Sequence, residues 1–431
     1  MDLNRLTATE AARLIAQKEI SAEELTRACL DRIAARNAEV GAFVHLDPEL
    51  SLAEARRADR EPPRSALHGV PFGVKDVIDT RDFPTEYGTP IHRGRRPAAD
   101  APCVAKMREA GAVLLGKLVS TEYAMFTPNE TRHPLNPAHT AGGSSSGSGA
   151  AVADCMVPVA FGNQTAGSLI RPAAFCGVYG LKPTHGTVDG AGILPLQPYF
   201  DTLGYMARAI SDIQHMYGIV SGRNQHAAWP QERRPKIGMC RTYQWESAEE
   251  ETRAMFEAVG RRFAELGADV SEFELPADYS ELVAVHRCVL YGGIARSLAQ
   301  DYQHAADRMS EGLRGVIEEG RAWSAGEFEE AFRKARHYRE HVNEMFGTFD
   351  ALVCPSAPGE APRGTATGSP IFQVTWTLLG VPCLNLPVGI GPHGLPLGVQ
   401  LIGRRHDDAS VLALGDYLMR DFAPIEIGSG R

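Results

Sequence analysis

Gly142-Gly143-Ser144-Ser145-Ser146-Gly147-Ser148-Gly149 is an unbroken run of eight glycines and serines. It is followed by Ala150-Ala151-Val152-Ala153, a short helical pattern, and by the apolar run Cys155 to Phe161. That run leads into Gly162-Asn163-Gln164-Thr165-Ala166-Gly167-Ser168-Leu169-Ile170-Arg171-Pro172. A loop of small hydroxyls thus feeds a helix, the helix feeds a strand, and the strand ends in a second small-residue turn with one more Ser. Residues this small let backbone N–H groups come close to a ligand. A Ser held among free N–H groups is the layout of a nucleophile beside an oxyanion hole.

Three readings compete for the Gly/Ser run. A flexible linker does not suit a position between ordered-looking elements. A phosphate cradle requires Gly-x-x-x-x-Gly-Lys-Ser/Thr, and no such Lys follows. A hydroxyl-rich catalytic loop needs a base and a second Ser, and Lys75 and Ser168 supply them. Lys75 stands out because it interrupts the strand-like run Val70 to Ile78, although a Lys snorkelling from a strand end gives the same pattern.

The chain has 431 residues, 44% of them apolar, enough for a sizeable core. A net charge of −9 argues against a nucleic-acid or anionic-membrane surface. The eight cysteines are scattered without a C-x-x-C pair and read as reduced core residues. The start lacks the basic and apolar regions of a signal peptide. No window reaches the ~18 apolar residues of a membrane span. The expected compartment is therefore the cytoplasm. No H-E-x-x-H or other close ligand cluster appears, so no metal or other cofactor is expected.

Around the central stretch the chain alternates. Residues 6–36 read as two amphipathic helices, each opened by a capping-box pair, Thr7 with Glu10 and Ser21 with Glu24. Residues 56–64 read as a polar linker. Residues 102–110 read as a helix, 112–116 as a buried strand and 177–184 as a turn-rich run. A strand over 236–240, a helix over 249–266 and a strand over 269–275 follow. This order suits an α/β fold with parallel strands and right-handed crossovers. Residues 280–346 read as a helical insertion over the site. Residues 351–354 read as a strand running into a Pro- and Gly-rich loop, 355–370, where substrate contacts are common. Strands over 381–390 and 397–402 end the pattern, and the tail from Pro424 reads as loose.

Gly69-Val70-Pro71-Phe72-Gly73-Val74-Lys75-Asp76, the Gly142–Ser148 run, and Thr165-Ala166-Gly167-Ser168 with Arg171-Pro172 together resemble the amidase signature family. Ser144 follows Lys75 by 69 residues (144 − 75), and Ser168 follows Ser144 by 24 (168 − 144). The second spacing is characteristic of that family's two serines. The resemblance implies one large α/β domain over residues 1–431, with a mixed, mostly parallel central sheet covered by helices on both faces. N-terminal helices would occupy 1–60, core motifs 61–240, the pocket-shaping insertion 280–346, and the last strands with the substrate loop 350–405. It implies a Ser–Ser–Lys triad in which Ser168 is the acyl-accepting nucleophile, Ser144 the bridging Ser after a cis peptide bond, and Lys75 the base. Thr165, Ala166, Gly167 and Ser168 would supply the oxyanion-hole N–H groups. Tyr123, Ala124, Met125, Phe126 and Gly143 would contact substrate, although core packing suits Tyr123 equally. Trp376 reads as core, and His133 and His185 as structural.

Three departures from the family pattern stand out. Gln164 replaces a common Asp and Ala166 a common Gly, and the Arg lies three residues after Ser168 instead of two. The expected activity is hydrolysis of a small carboxamide or urea-derived amide through an acyl-enzyme, by a chain that could form a homodimer. The alternatives are the glutaminase component (A subunit) of an amidotransferase, which would need partner chains, or a catalytically silent binding protein on the same fold.

Overall fold

The computed structural model describes residues 2–223 and 227–427. Its centre is a 12-stranded sheet. The strands are β1 (Phe43–Leu46), β2 (Pro71–Lys75), β3 (Val113–Leu118), β4 (Val159–Gln164), β5 (Tyr179–Lys182) and β6 (Thr202–Ala207), then β7 (Lys236–Cys240), β8 (Asp269–Phe273), β9 (Ala351–Pro355), β10 (Cys383–Ile390), β11 (Pro396–Ile402) and β12 (Ile425–Glu426). Their spatial order is β1-β3-β2-β4-β6-β5-β10-β11-β9-β7-β8, with β12 beside β10. The sheet is mixed. Parallel ladders join β3-β2-β4 on one flank and β9-β7-β8 on the other. Antiparallel ladders run through the middle, from β4 to β9.

Side-chain alternation explains why both faces are covered. Along β3 and β4, Leu114, Val159 and Phe161 enter one core, while Val113, Leu115 and Ala160 enter the other. Successive strand residues point to opposite faces. Since both sets are apolar, each face needs its own cover. The N-terminal helices Ala8–Ala16 and Ala22–Val40 provide one, through Ala11, Ile15, Leu25, Cys29 and Ile33. Both carry the capping boxes read from the sequence. The 280–346 region is helical, with Leu282–Ser297, Ala299–Ala305, Glu311–Ala322 and Ala325–His341. Its apolar residues Val289, Ile294, Leu313 and Ile317 join the larger core.

Strand register places the candidate residues. β2 and β4 are parallel neighbours, Val74 opposite Phe161, so Lys75 and the Asn163-Gln164 pair leave the sheet at the same edge. Ligands in α/β sheets bind outside the carboxyl ends of strands. The Gly/Ser run crosses that edge, then becomes the helix Ser146–Ala153. This helix presses against the backbone of two neighbours. A Cβ on Gly147 would lie 2.4 Å from both the Ala42 carbonyl oxygen and the Val119 nitrogen.

Several boundaries differ from the sequence reading. Residues 56–60 belong to the helix Pro48–Arg60, which Asp47 caps and which buries Leu52, Ala55 and Ala58. The second half of the Gly/Ser run is helical, because the close approach at Gly147 outweighs glycine's poor propensity. The strand read over 155–161 is β4, which continues through Gln164 because Asn163 and Gln164 pair with Leu203 and Thr202. Residues 179–182 of the turn-rich run form β5. The tail is tied at Ile425 and Glu426, which pair with Gly389 and Ile390, and residues 428–431 lie outside the described residues.

Gly147→Ala is expected to destabilise the protein by roughly 1–3 kcal/mol, the usual scale for forcing an atom into a packed interior. Gly315→Ala, at an exposed position of the helix Glu311–Ala322 with nothing within 4 Å of the new Cβ, is expected to be neutral or stabilising by up to about 1 kcal/mol. Thermal melts of the two variants check the contrast. Equal melting temperatures would refute the close approach at Gly147.

Candidate active site

Lys75, the last residue of β2, is fully buried. Its Nζ lies 2.7 Å from Ser144 Oγ and 2.6 Å from Asn163 Oδ1. No carboxylate is hydrogen-bonded to it among the described residues. Burial holds its ammonium well below the ordinary lysine range. The Arg171 charge adds to this depression, and Asp201 opposes it. A neutral amine in contact with a hydroxyl can accept that hydroxyl's proton. The Gly143–Ser144 peptide bond is cis.

The neighbouring hydroxyls are committed elsewhere, which separates Ser144 from the rest of the run. Ser145 Oγ donates to the Asn163 carbonyl at 3.2 Å. Ser146 Oγ accepts from Asn129 Nδ2 at 2.7 Å. Ser148 Oγ donates to the Phe161 carbonyl at 2.8 Å.

Beyond β4 the chain turns sharply through Thr165–Ser168. The Ser145 N–H donates to the Ser168 carbonyl at 3.1 Å, joining this turn to the residue after Ser144. The turn's carbonyls are also occupied. Thr377 Oγ1 donates to Ala166 O at 2.6 Å, and His286 Nε2 lies 3.1 Å from Thr165 O. Burial pushes the His286 imidazole down to about 4, so the ring is neutral and donates from Nε2. Thr165 Oγ1 donates to Asp201 Oδ1 at 2.6 Å, while Asp201 Oδ2 accepts the Leu196 and Gln197 N–H groups. The N–H groups of Ala166, Gly167 and Ser168 have no acceptor among the described residues. With carbonyls pinned and N–H groups free, such a turn can hold a developing oxyanion. Only glycine fits at 167, where a Cβ would lie 2.6 Å from Gln373 Oε1 and 2.8 Å from Pro370 Cβ. Ala166 is not among the residues with positive φ, so its Cβ is accommodated.

The residues expected to contact substrate are placed differently from one another. Tyr123 is fully buried and its hydroxyl donates to Asp301 at 2.8 Å. Its ring packs with Tyr87 and His92. Ala124 and Met125 are buried, and Phe126 is exposed. Gly143 accepts from Arg171 Nη2 through its carbonyl at 2.5 Å. Trp376 is core, with Nε1 3.1 Å from Cys354 Sγ. His133 and His185 hold the Phe175 and Pro198 carbonyls. The eight cysteines are unpaired. Among the described residues no group of three or more His, Cys, Asp or Glu side chains is arranged to hold a metal ion. No helix among them is long and apolar enough to cross a membrane.

Asn163, Asp201, His286 and Thr377 were not singled out from the sequence. Asn163 had a signal, being a polar residue near the end of an otherwise apolar strand. The other three come from distant segments, and only the fold brings them to the turn.

The Amidase family model matches residues 24–412. The chain belongs to the amidase signature family. It is 33% identical to the glutamyl-tRNA(Gln) amidotransferase A subunit of Chloroflexus aggregans, over 97% of each chain. A crystal structure of an amidase superposes with a TM-score of 0.90 at 28% identity, covering 97% of this chain and 100% of that one. The peptide amidase of Stenotrophomonas maltophilia gives a TM-score of 0.82 at 27% identity, covering 97% of both chains.

Against the amidase signature pattern, Gln164 keeps a positioning role without the charge. Its Oε1 accepts the Leu169 and Ile170 N–H groups, both at 3.0 Å, and its Nε2 donates to Thr377 Oγ1 at 3.0 Å. The amide therefore fastens the segment after Ser168 and orients the hydroxyl that pins Ala166. Among the described residues no ion pair takes the place of an Asp–Arg pair here, since Gln164 is neutral and Arg171 reaches the Gly143 carbonyl.

The depressed Lys75 ammonium has a stability consequence. Between its lowered folded value and the ordinary lysine value, the unfolded chain binds more protons than the folded one. Folding stability contributed by this group therefore falls as pH falls through that window. Lys75→Met is expected to remove this dependence and gain stability relative to the parent as pH is lowered. Denaturant titrations of both proteins at several pH values measure it. Parallel stability curves would contradict a depressed Lys75.

Proposed function

We propose that the protein hydrolyses the C–N bond of small carboxamides or urea-derived amides through an acyl-enzyme on Ser168. The 2.7 Å contact between the buried Lys75 amine and Ser144 Oγ carries this reading. Neutral Lys75 takes the Ser144 proton as Ser144 takes that of Ser168. Ser168 Oγ then bonds to the amide carbon. The carbonyl electrons move onto oxygen, which the free N–H groups of the 165–168 turn receive. Collapse breaks the C–N bond, and the leaving amine gains its proton from Ser144, which is resupplied by Lys75. Water repeats the sequence on the ester and frees the acid. Each serine is activated by an adjacent base, as a hydroxyl nucleophile requires. No step calls on a cofactor.

A second reading is favoured by the curated relatives, one of which is named as the A subunit of an amidotransferase. On that reading the chain releases ammonia from glutamine beside partner subunits. Turnover of other amides by the isolated chain separates the two. A silent binding protein would turn over nothing and take no covalent label.

Treatment with a fluorophosphonate is expected to leave an adduct on Ser168, located by peptide mass spectrometry, and Ser168→Ala should abolish both adduct and turnover. An adduct on Ser145 or Ser148 would overturn the assignment. Lys75→Ala is expected to lose roughly 10²–10⁴ in rate, the usual scale for a positioned acid–base group. Lys75→Arg should do no better, because a guanidinium stays charged. Prolonged chelation is expected to leave the rate unchanged.

A further inference from the structure

Tyr123 and Ala124 both have left-handed backbones, at φ +46° and +56°. Bulky side chains are disfavoured in that region, so the surrounding structure has to hold them there. The segment 121–127 is held from two sides. On the side of the site, the Thr121 N–H donates to the Ser144 carbonyl at 3.3 Å, and the Tyr123 N–H donates to Tyr87 O at 2.8 Å. The Tyr87 N–H donates in turn to Asp76 O at 3.0 Å, one residue beyond Lys75. Thr121 and Thr367 also close on Gly143, where a Cβ would lie 3.2 Å from Thr121 Cγ2 and 2.7 Å from Thr367 Cγ2. The segment therefore borders both the bridging-serine loop and the end of β2 that carries the base.

On the other side three anchors come from the helical insertion. The Tyr123 hydroxyl donates to Asp301 Oδ2 at 2.8 Å, on the helix Ala299–Ala305. Glu122 Oε1 accepts the Ser310 N–H at 3.2 Å, and Thr127 Oγ1 lies 2.6 Å from Ser310 Oγ. Ser310 is already committed as the cap of the helix Glu311–Ala322. Asp301 has no such duty. Its Oδ2 is shared between Tyr123 and His92 Nε2, the latter at 3.0 Å, and no Lys or Arg pairs with it among the described residues. The Tyr123 ring is fully buried, and burial together with the Asp301 carboxylate pushes its phenol far above the ordinary range. The hydroxyl is therefore a permanent donor, and leaving it without an acceptor would cost its full desolvation. Asp301 thus dictates where the left-handed residue sits.

We infer that Asp301 is a positioning residue for acyl-chain length: through the Tyr123 hydroxyl it draws residues 121–127 against the bridging-serine loop, so that Met125 and Phe126 close the acyl side of the site on short chains. This inference rests on Ser168 as the nucleophile and on the 121–127 segment as the acyl side.

The test uses alkyl fluorophosphonates whose chains lengthen one carbon at a time, applied to the full-length protein. Ser168 Oγ bonds to phosphorus as fluoride leaves, so the alkyl chain samples the acyl side. The rate of Ser168 labelling is read by peptide mass spectrometry. The wild type is expected to label fastest with short chains. In Asp301→Ala and in Tyr123→Phe the short-over-long rate ratio should fall by roughly tenfold or more, the scale on which a pocket discriminates chain length. Tyr123→Phe keeps the ring and removes only the hydrogen bond, so it carries the test alone if Asp301→Ala fails to fold. The double variant should fall no further than either single one, because both remove the same contact. Asp301→Asn retains an acceptor oxygen and should restore part of the ratio. A wild type indifferent to chain length would overturn the inference, as would a smaller fall in Tyr123→Phe or equal slowing at every length. Absence of Ser168 labelling by any probe would remove the underlying reading and this inference with it.

Discussion

The contact between Lys75 Nζ and Ser144 Oγ is closed off from water, and the rest of the site is arranged around that fact. A lysine without solvent or a carboxylate stays neutral more easily than it stays charged. Asn163 Oδ1 orients the amine without supplying a formal charge. Arg171 adds a positive charge nearby and works in the same direction as burial. Burial and the Arg171 charge thus both favour the neutral amine of Lys75 over its ammonium. Its geometry is fixed by parallel pairing, since β2 and β4 deliver Lys75 and Asn163 to the same edge of the sheet.

The small residues serve backbone proximity. Gly147 lets a helix press on the Ala42 carbonyl and the Val119 nitrogen. Gly167 lets the turn that carries Ser168 pass under Gln373 and Pro370. Around that turn, Thr377, His286 and Asp201 hold carbonyls and a hydroxyl, so its N–H groups are left for a ligand. Gln164 shows how a charge can be dropped while its geometric duty is kept. A neutral amide both accepts the two N–H groups after Ser168 and donates to Thr377.

Much of this was legible in the sequence, for identifiable reasons. The capping boxes at Thr7 and Ser21 are local, and both formed. The triad candidates could be read because each is an anomaly in its own segment: a lysine in an apolar strand, a serine-rich run, and a serine in a small-residue turn. The helix Pro48–Arg60 was hidden behind its charged residues, since only Leu52, Ala55 and Ala58 mark its buried face. The helical half of the Gly/Ser run was hidden because the compensating contact lies in other segments. Distant partners such as Thr377 and Asp201 leave no local trace, because their neighbours in sequence do not reveal which carbonyl or hydroxyl they meet. Arg171 was visible as a residue, whereas its lack of a carboxylate became visible only once the surrounding side chains were placed.

The central claim is that Lys75 is a neutral amine in the resting protein. Nitrogen NMR of protein labelled at lysine Nζ, with the Lys75 signal assigned by its loss in Lys75→Met, observes that state directly. The account predicts an amine-type Lys75 resonance at neutral pH that moves to the ammonium position only on acidification. An ammonium resonance for Lys75 throughout the neutral and mildly alkaline range would contradict it.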